Sequence, residues 1–187
     1  MWTPVSGRGG SLACKRVAGN GPFADDGRRT FPVQVQGLTA GATAVATGND
    51  HTCAIVNGGA YCWGYNYFGE LGNNSTTNSP VPVQVQGLTS GVTAIAAGGH
   101  TCAIVNGGVQ CWGYDADGQL GNNSMNYSVV PVQVQGLTSG VTAVAVGYKH
   151  TCALVNGGMQ CWGYNYYGQL GNDSTTDSLV PVQVQFP

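Results

Sequence analysis

Apolar and polar residues alternate in short runs along most of this chain, and Gly, Asn, Ser and Pro divide the runs. Alternation with a period of two marks a strand with one buried face. Across the first well-defined stretch it predicts four strands, at about 42–47, 51–56, 60–65 and 82–86. The pattern then returns twice. His51-Thr52-Cys53-Ala54-Ile55-Val56-Asn57-Gly58-Gly59 recurs from His100 and, with Leu154 for Ile, from His150. Cys62-Trp63-Gly64-Tyr65 recurs from Cys111 and Cys161, and Pro-Val-Gln-Val-Gln begins at Pro32, Pro82, Pro131 and Pro181. The period is 49 or 50 residues.

A repeat of this length is one supersecondary unit that cannot bury its own faces. Radial stacking of four-stranded sheets buries them and leaves only short edges. The expected fold is therefore all-β and built of β-propeller blades: three complete four-stranded blades plus a partial N-terminal blade. The repeat region is 32–187, with units near 37–86, 87–135 and 136–185. Residues 1–31 read as a degenerate or partial blade, of which Phe31 to Gln36 is the last strand. A β-solenoid is the competing architecture, but its repeats are usually shorter. The small residues of Thr93-Ala94-Ile95-Ala96-Ala97 suit a crowded inner strand near a propeller axis.

Hairpin register follows from the turn. Asn57-Gly58 supplies the two centre positions of a type I′ turn, both of which need positive φ. Pairing outward sets Val56 against Gly59 and Cys53 against Cys62, a non-hydrogen-bonded pair with closely spaced Cα atoms. The same arithmetic sets Cys102 against Cys111 and Cys152 against Cys161. Three repeats of one geometry predict disulfides Cys53–Cys62, Cys102–Cys111 and Cys152–Cys161. Such bonds persist in oxidising compartments, so the expected location is extracellular, periplasmic or cell-surface. Metal binding is the rival reading, but each unit brings only two cysteines and no Cys-x-x-Cys knuckle. Cys14 is left over.

Charge narrows the partners. Only 7% of residues are charged, the net charge is −2, and six Lys and Arg cannot make a phosphate-binding footprint. Nucleic acid is not an expected partner. No apolar run has the length of a membrane span. The first residues, from Met1 to Arg8, lack the apolar stretch of a leader, which points to a processed chain or part of a longer one.

The string Gly-x-x-His-Thr-Cys-Ala…Cys-Trp-Gly-x-Asn-x-x-Gly-Gln-Leu-Gly runs from Gly147 to Gly171, and from Gly48 to Gly72 with Glu70 for Gln. The middle unit has Asp115 where the others have Asn66 and Asn165. This string resembles the repeat of the regulator of chromosome condensation family, over residues 32–187. The resemblance implies a propeller, commonly of seven blades, used for binding. The paired cysteines are similar to those of bacterial secreted members. The family's namesake catalyses nucleotide exchange on a small nuclear GTPase and docks on chromatin; relatives include a photoreceptor and a secreted inhibitor of β-lactamases. What matches here is the scaffold, which does not name a partner.

Candidate chemistry is sparse. His51, His100 and His150 stand once per unit, where a ring of imidazoles for metal competes with a structural, turn-fixing role. No acid or nucleophile repeats beside them, so no triad, enzyme activity, metal or cofactor is expected. Asp115-Ala116-Asp117-Gly118 resembles a calcium loop but has Asn126 where the last liganding acid belongs, and reads as a turn. Trp63, Trp112 and Trp162 recur inside the frame and read as packing. Asn-x-Ser/Thr at Asn73, Asn74, Asn122, Asn126 and Asn172 falls in the long loops, open to glycosylation in a suitable host.

The units differ mainly in loops, where binding on a rigid scaffold is usually placed. There Tyr67, Phe68, Tyr127, Tyr148, Tyr166 and Tyr167 form the candidate binding surface. The leading functional reading is a non-enzymatic extracellular repeat protein acting as an interaction or self-assembly scaffold. A secreted protein-binding inhibitor or receptor module is second, and guanine-nucleotide exchange, by family analogy, third. Expected partners are proteins, including other copies of this chain in a homo-oligomer or filament. Ring closure has three solutions: a small ring completed by the N-terminal segment, two chains in one larger ring, or open stacking.

Overall fold

A computed structural model describes residues 32–186; the partial blade expected over 1–31 and Cys14 lie outside them, and the described part of the expected strand Phe31–Gln36 is no strand but irregular chain leading into a turn at Gln36 and Gly37. The described residues contain no helix. They form twelve strands in three antiparallel sheets. The first sheet holds β1 (Ala42–Thr47), β2 (His51–Val56), β3 (Gly59–Gly64) and β4 (Ser79–Gln84), in chain order. The second holds β5 (Val92–Ala97), β6 (His100–Val105), β7 (Gly108–Gly113) and β8 (Ser128–Gln133). The third holds β9 (Val141–Val146), β10 (His150–Val155), β11 (Gly158–Gly163) and β12 (Ser178–Gln183).

The Asn-Gly turns set the register. Asn57 and Gly58 have φ of 52° and 79°, and Val56 pairs with Gly59, Cys53 with Cys62 and His51 with Gly64. Both other hairpins repeat this pairing. The fourth strand differs from the expected 82–86: it is Ser79–Gln84. Gly64 pairs with Ser79 across a bulge, so the strand begins earlier, and it ends where Gln86 N turns to the Gly72 carbonyl and Leu88 N closes a turn on the Val85 carbonyl. The recurrent prolines Pro82, Pro131 and Pro181 lie in these fourth strands, at the sheet edge, where a missing N–H costs no ladder bond.

The core lies between sheets rather than within one. One buried cluster joins Cys53, Ile55, Ala60, Cys62, Leu71, Val85 and Leu88 of the first blade to Val92, Ala103 and Trp112 of the second. A second cluster repeats it, joining Cys102, Ile104, Val109, Cys111, Leu120, Val134 and Leu137 to Val141, Ala153, Val155 and Trp162. Period-two alternation explains the division. Along β6, Cys102 and Ile104 face the following blade, while Thr101 and Ala103 face the preceding one. The first strands β1, β5 and β9 pack on one another in succession, as inner strands do around an axis. Each blade therefore has a leading face, which meets the blade before it, and a trailing face, which meets the blade after it.

Candidate functional site: interblade latches and an aromatic rim

Two features concentrate the polar and aromatic chemistry. The first is the joint between blades. His51 Nε2 lies 2.7 Å from Thr101 Oγ1, and Thr101 Oγ1 donates to the Glu70 carbonyl at 3.0 Å. A threonine hydroxyl has one proton. It is spent on Glu70, so His51 must carry the Nε2–H and donate to Thr101. Trp112 Nε1 donates to the same Glu70 carbonyl at 2.9 Å. The next joint repeats the arrangement: His100 Nε2 to Thr151 Oγ1 at 2.6 Å, then Thr151 Oγ1 and Trp162 Nε1 to the Gln119 carbonyl, both at 2.9 Å. Each latch thus ties one blade's strand and loop to the following blade's Thr and Trp.

The loop that presents this carbonyl is shaped for it. A Cβ on Gly72, whose φ is +63°, would sit 2.8 Å from the indole nitrogen of Trp112. Gly121 stands in the same relation to Trp162, at 2.6 Å. The repeated Gly-x-Leu-Gly string is therefore a close-approach device for the neighbouring blade's indole.

Burial governs the imidazoles. Desolvation holds His51 down at about 4, against a smaller upward pull from Asp50. It holds His100 at about 3, with the charges of His51 and His150 acting the same way. His150, half-buried, is also lowered by desolvation. His100 Nδ1 is buried without a partner, which suits the neutral ring and penalises the cation. His51 and His100 are joint fixtures. Among the described residues no group of three or more His, Cys, Asp and Glu is placed to hold a metal ion.

One position breaks the repeat. Asn66 Nδ2 donates to Asn73 Oδ1 and to the carbonyls of Ser75 and Thr77, while its Oδ1 accepts from Leu71 N. Asn165 repeats all four bonds, with Asn172, Ser174, Thr176 and Leu170. Asp115 keeps only the bond from Leu120 N; its Oδ2 and Asn122 Oδ1 are both buried without partners. A carboxylate oxygen here meets acceptors instead of donating to them. Burial pushes the Asp115 carboxyl up to about 7. Asp115→Asn should restore the amide donors and stabilise the protein by about 2 kcal/mol, the cost of a buried unsatisfied group. Urea unfolding checks this, with a larger gain at pH 8, where the wild-type carboxyl is charged, than at pH 5. An equal or lower stability at pH 8 would show that Oδ2 is satisfied in solution.

The second feature is a rim. The loops joining first to second strands, and third to fourth strands, emerge at one end of every sheet. All six candidate aromatics lie in these loops. Tyr67, Phe68 and Tyr127 come together with Tyr65 and Tyr114: Phe68 meets Tyr67 and Tyr114 edge-on at 4.9 Å and Tyr127 at 6.0 Å. Tyr166 and Tyr167 form a separate group with Tyr164, at 4.9 Å from each other. Lys149 lies 5.2 Å over the Tyr164 ring and 3.2 Å from Asp117, bridging the second and third blades. Tyr148 joins neither group. Tyr67, Tyr127, Tyr148, Tyr166 and Tyr167 are exposed, whereas Phe68 is half-buried and anchors its cluster. Tyr65, Tyr114 and Tyr164 join the rim beyond the six residues that loop differences point to. Their recurrence after Trp-Gly in every unit was the signal for them.

Paired rings on a rigid rim and hydrogen-bonded joints define a repeat scaffold of propeller blades. The regulator of chromosome condensation (RCC1) repeat matches at 57–105, 106–154 and 156–187, and a second form of the same repeat matches at 42–70 and 141–169. This chain belongs to that family. No curated protein matches it. Among solved structures, yeast RCC1 (Prp20) bound to Kap60 aligns over 80% of this chain and 38% of its own, at 20% identity and a TM-score of 0.68. Human WBSCR16 aligns over 78% of this chain and 53% of its own, at 22% identity and a TM-score of 0.45. The ectodomain of the Physcomitrella patens receptor kinase CR4 aligns over 68% of this chain and 31% of its own, at 21% identity and a TM-score of 0.45. The chain spans well under two thirds of each of these structures.

Proposed function

We propose that this chain is a non-enzymatic protein-binding scaffold that works in an oxidising, extracellular compartment and has copies of itself among its partners. The observation that carries the reading is the aromatic rim: two groups of rings, largely exposed, at one end of a stack of stiff sheets. Tyrosine on a rigid frame supplies large amphipathic contact area at small entropic cost. The yeast RCC1 (Prp20) structure, a protein complexed with Kap60, supports protein as the ligand class. A disulfide across the Asn-Gly hairpin of each blade supports the compartment.

The test is Tyr166→Ala with Tyr167→Ala, read by sedimentation with a candidate protein partner. Binding through the rim should weaken by at least about tenfold, in line with the loss of two interface aromatics. The melting temperature should stay within a few degrees, since both rings are exposed. Unchanged binding to every partner tested, or a collapse of melting, would overturn the rim as the binding surface.

A further inference from the structure

The two interblade joints use a constant set of groups, and a third set stands on the two outer faces of the described blades. On the trailing face of the third blade are His150, the Gln169 carbonyl and Leu154. On the leading face of the first blade are Thr52, Trp63 and Val45. Among the described residues these groups make none of the bonds their equivalents make at the two joints. Their burial differs accordingly. Ile55 and Ile104, each 2% exposed, are matched by Leu154 at 40%. Trp112 and Trp162 are fully buried, whereas Trp63 is half-buried, and Val45 is 69% exposed beside it. Val45, Ala54, Trp63 and Leu38 line an apolar groove of about 380 Å³ on this leading face.

We propose that the trailing face of one copy receives the leading face of a second copy, forming a third latch of the same kind. This rests on the reading above that the chain associates with itself. His150 donates to the incoming Thr52; Thr52 and Trp63 donate to the Gln169 carbonyl. The backbone carries the same complementarity. At the two joints, Ala60 N and Val109 N donate to the carbonyls of Leu88 and Leu137. The equivalent donor is Met159 N and the equivalent acceptor is Leu38 of the incoming copy. Likewise Val92 N and Val141 N donate to the carbonyls of Gly58 and Gly107, which leaves the Gly157 carbonyl for the incoming Ala42 N.

Glutamine sets the register. Gln84 Nε2 and Gln133 Nε2 each donate to the leucine carbonyl that enters the next joint, at 2.9 Å. Within this chain Gln34 Nε2 bonds the Leu38 carbonyl at 2.7 Å, while Gln183 makes no such bond among the described residues. At the new joint Gln183 of the receiving copy takes over from Gln34. Residues 32–37 of the incoming copy form no strand and give way to the Val184–Phe186 segment of the receiving one. The interface joins unlike faces, so it generates a ring or a filament according to the rotation per copy.

Thr52→Arg and Leu154→Arg test it, because each blocks one face and leaves the other intact. The wild type should show mass rising with concentration in sedimentation velocity. Each variant should be monomeric, with its dissociation constant raised by about 100-fold or more, as expected for an unpaired charge buried in an interface. An equimolar mixture of the two should form a one-to-one dimer and nothing larger, since only one pair of good faces remains. Circular dichroism melts within a few degrees of wild type establish that both variants fold. Association of either variant alone at wild-type strength overturns the docking of these faces and leaves self-association standing. A wild type that stays monomeric at every concentration overturns self-association altogether, and the rim remains testable with other proteins.

Discussion

Full reduction of the disulfides should lower the melting temperature by roughly 20 °C and leave much of the chain unfolded at mild temperature. Cys53–Cys62, Cys102–Cys111 and Cys152–Cys161 each span nine residues in sequence. Closing a loop of that size stabilises by about 2.5 kcal/mol in the chain-entropy model, so together they contribute about 7.5 kcal/mol. That is comparable to the whole stability of an ordinary domain. The loss should be uneven. Cys102 and Cys111 are fully buried between the second and third blades, within an apolar cluster. The third pair lies on the trailing face of the third blade, where Cys152 is half-buried. Removing the middle pair by C102A with C111A should therefore cost more than removing the last pair by C152A with C161A. Thermal melts followed by circular dichroism, with and without a phosphine reductant, give the answer. A shift of only a few degrees on full reduction would contradict the stabilising role.

The second large effect is acid. His51 and His100 have folded values near 4 and 3, below the ordinary value of 6.5. The unfolded chain then binds more protons between those limits, so stability is complete above about pH 6.5 and falls as pH drops. By pH 4 each imidazole accounts for about 3 kcal/mol of loss. Asp115, with its carboxyl held up near 7, runs the other way. Its folded form keeps a proton that the unfolded form releases, so it adds stability as pH falls from 7 to 4. The buried Glu70 carboxyl, also raised, acts in the same sense. Set against Asp115 alone, the loss from the two imidazoles is masked to a net of roughly 3 kcal/mol, and Asp115→Asn should about double it. His51→Gln should flatten the curve, because an amide N–H donates to Thr101 without titrating. Urea midpoints from pH 7.5 to pH 4 measure all three. A flat wild-type profile that stays flat in Asp115→Asn would sink the latch as the acid-sensitive element.

Particular residues show what was legible in advance. Asn57-Gly58 disclosed the turn and, by counting outward, which cysteines stand opposite one another; that step needs only local backbone geometry. The recurring Trp and His disclosed a frame, because a position that recurs once per unit has a duty inside the unit or at its boundary. The partners were not legible. Trp112 bonds the Glu70 carbonyl 42 residues away, and His51 meets Thr101 50 residues away. Nothing in the local pattern says whether a blade bonds within itself or to its neighbour. The same limit applied to the rim. Tyr67 and Tyr127 stand out by the loop differences between units, but their grouping with Tyr65 and Tyr114 depends on how one blade leans on the next.

The sequence by itself determined the all-β class, the repeat, the hairpin register and the positions of the cysteines, since each is set by contacts within a few tens of residues. The tertiary structure alone decided that the buried core lies between blades, that His, Thr, Trp and a loop carbonyl form one latch, and that Asp115 opposes acceptors. The physical reason is distance along the chain: these contacts join neighbouring repeats, and alternation within one sheet assigns residues to a face without saying what that face meets.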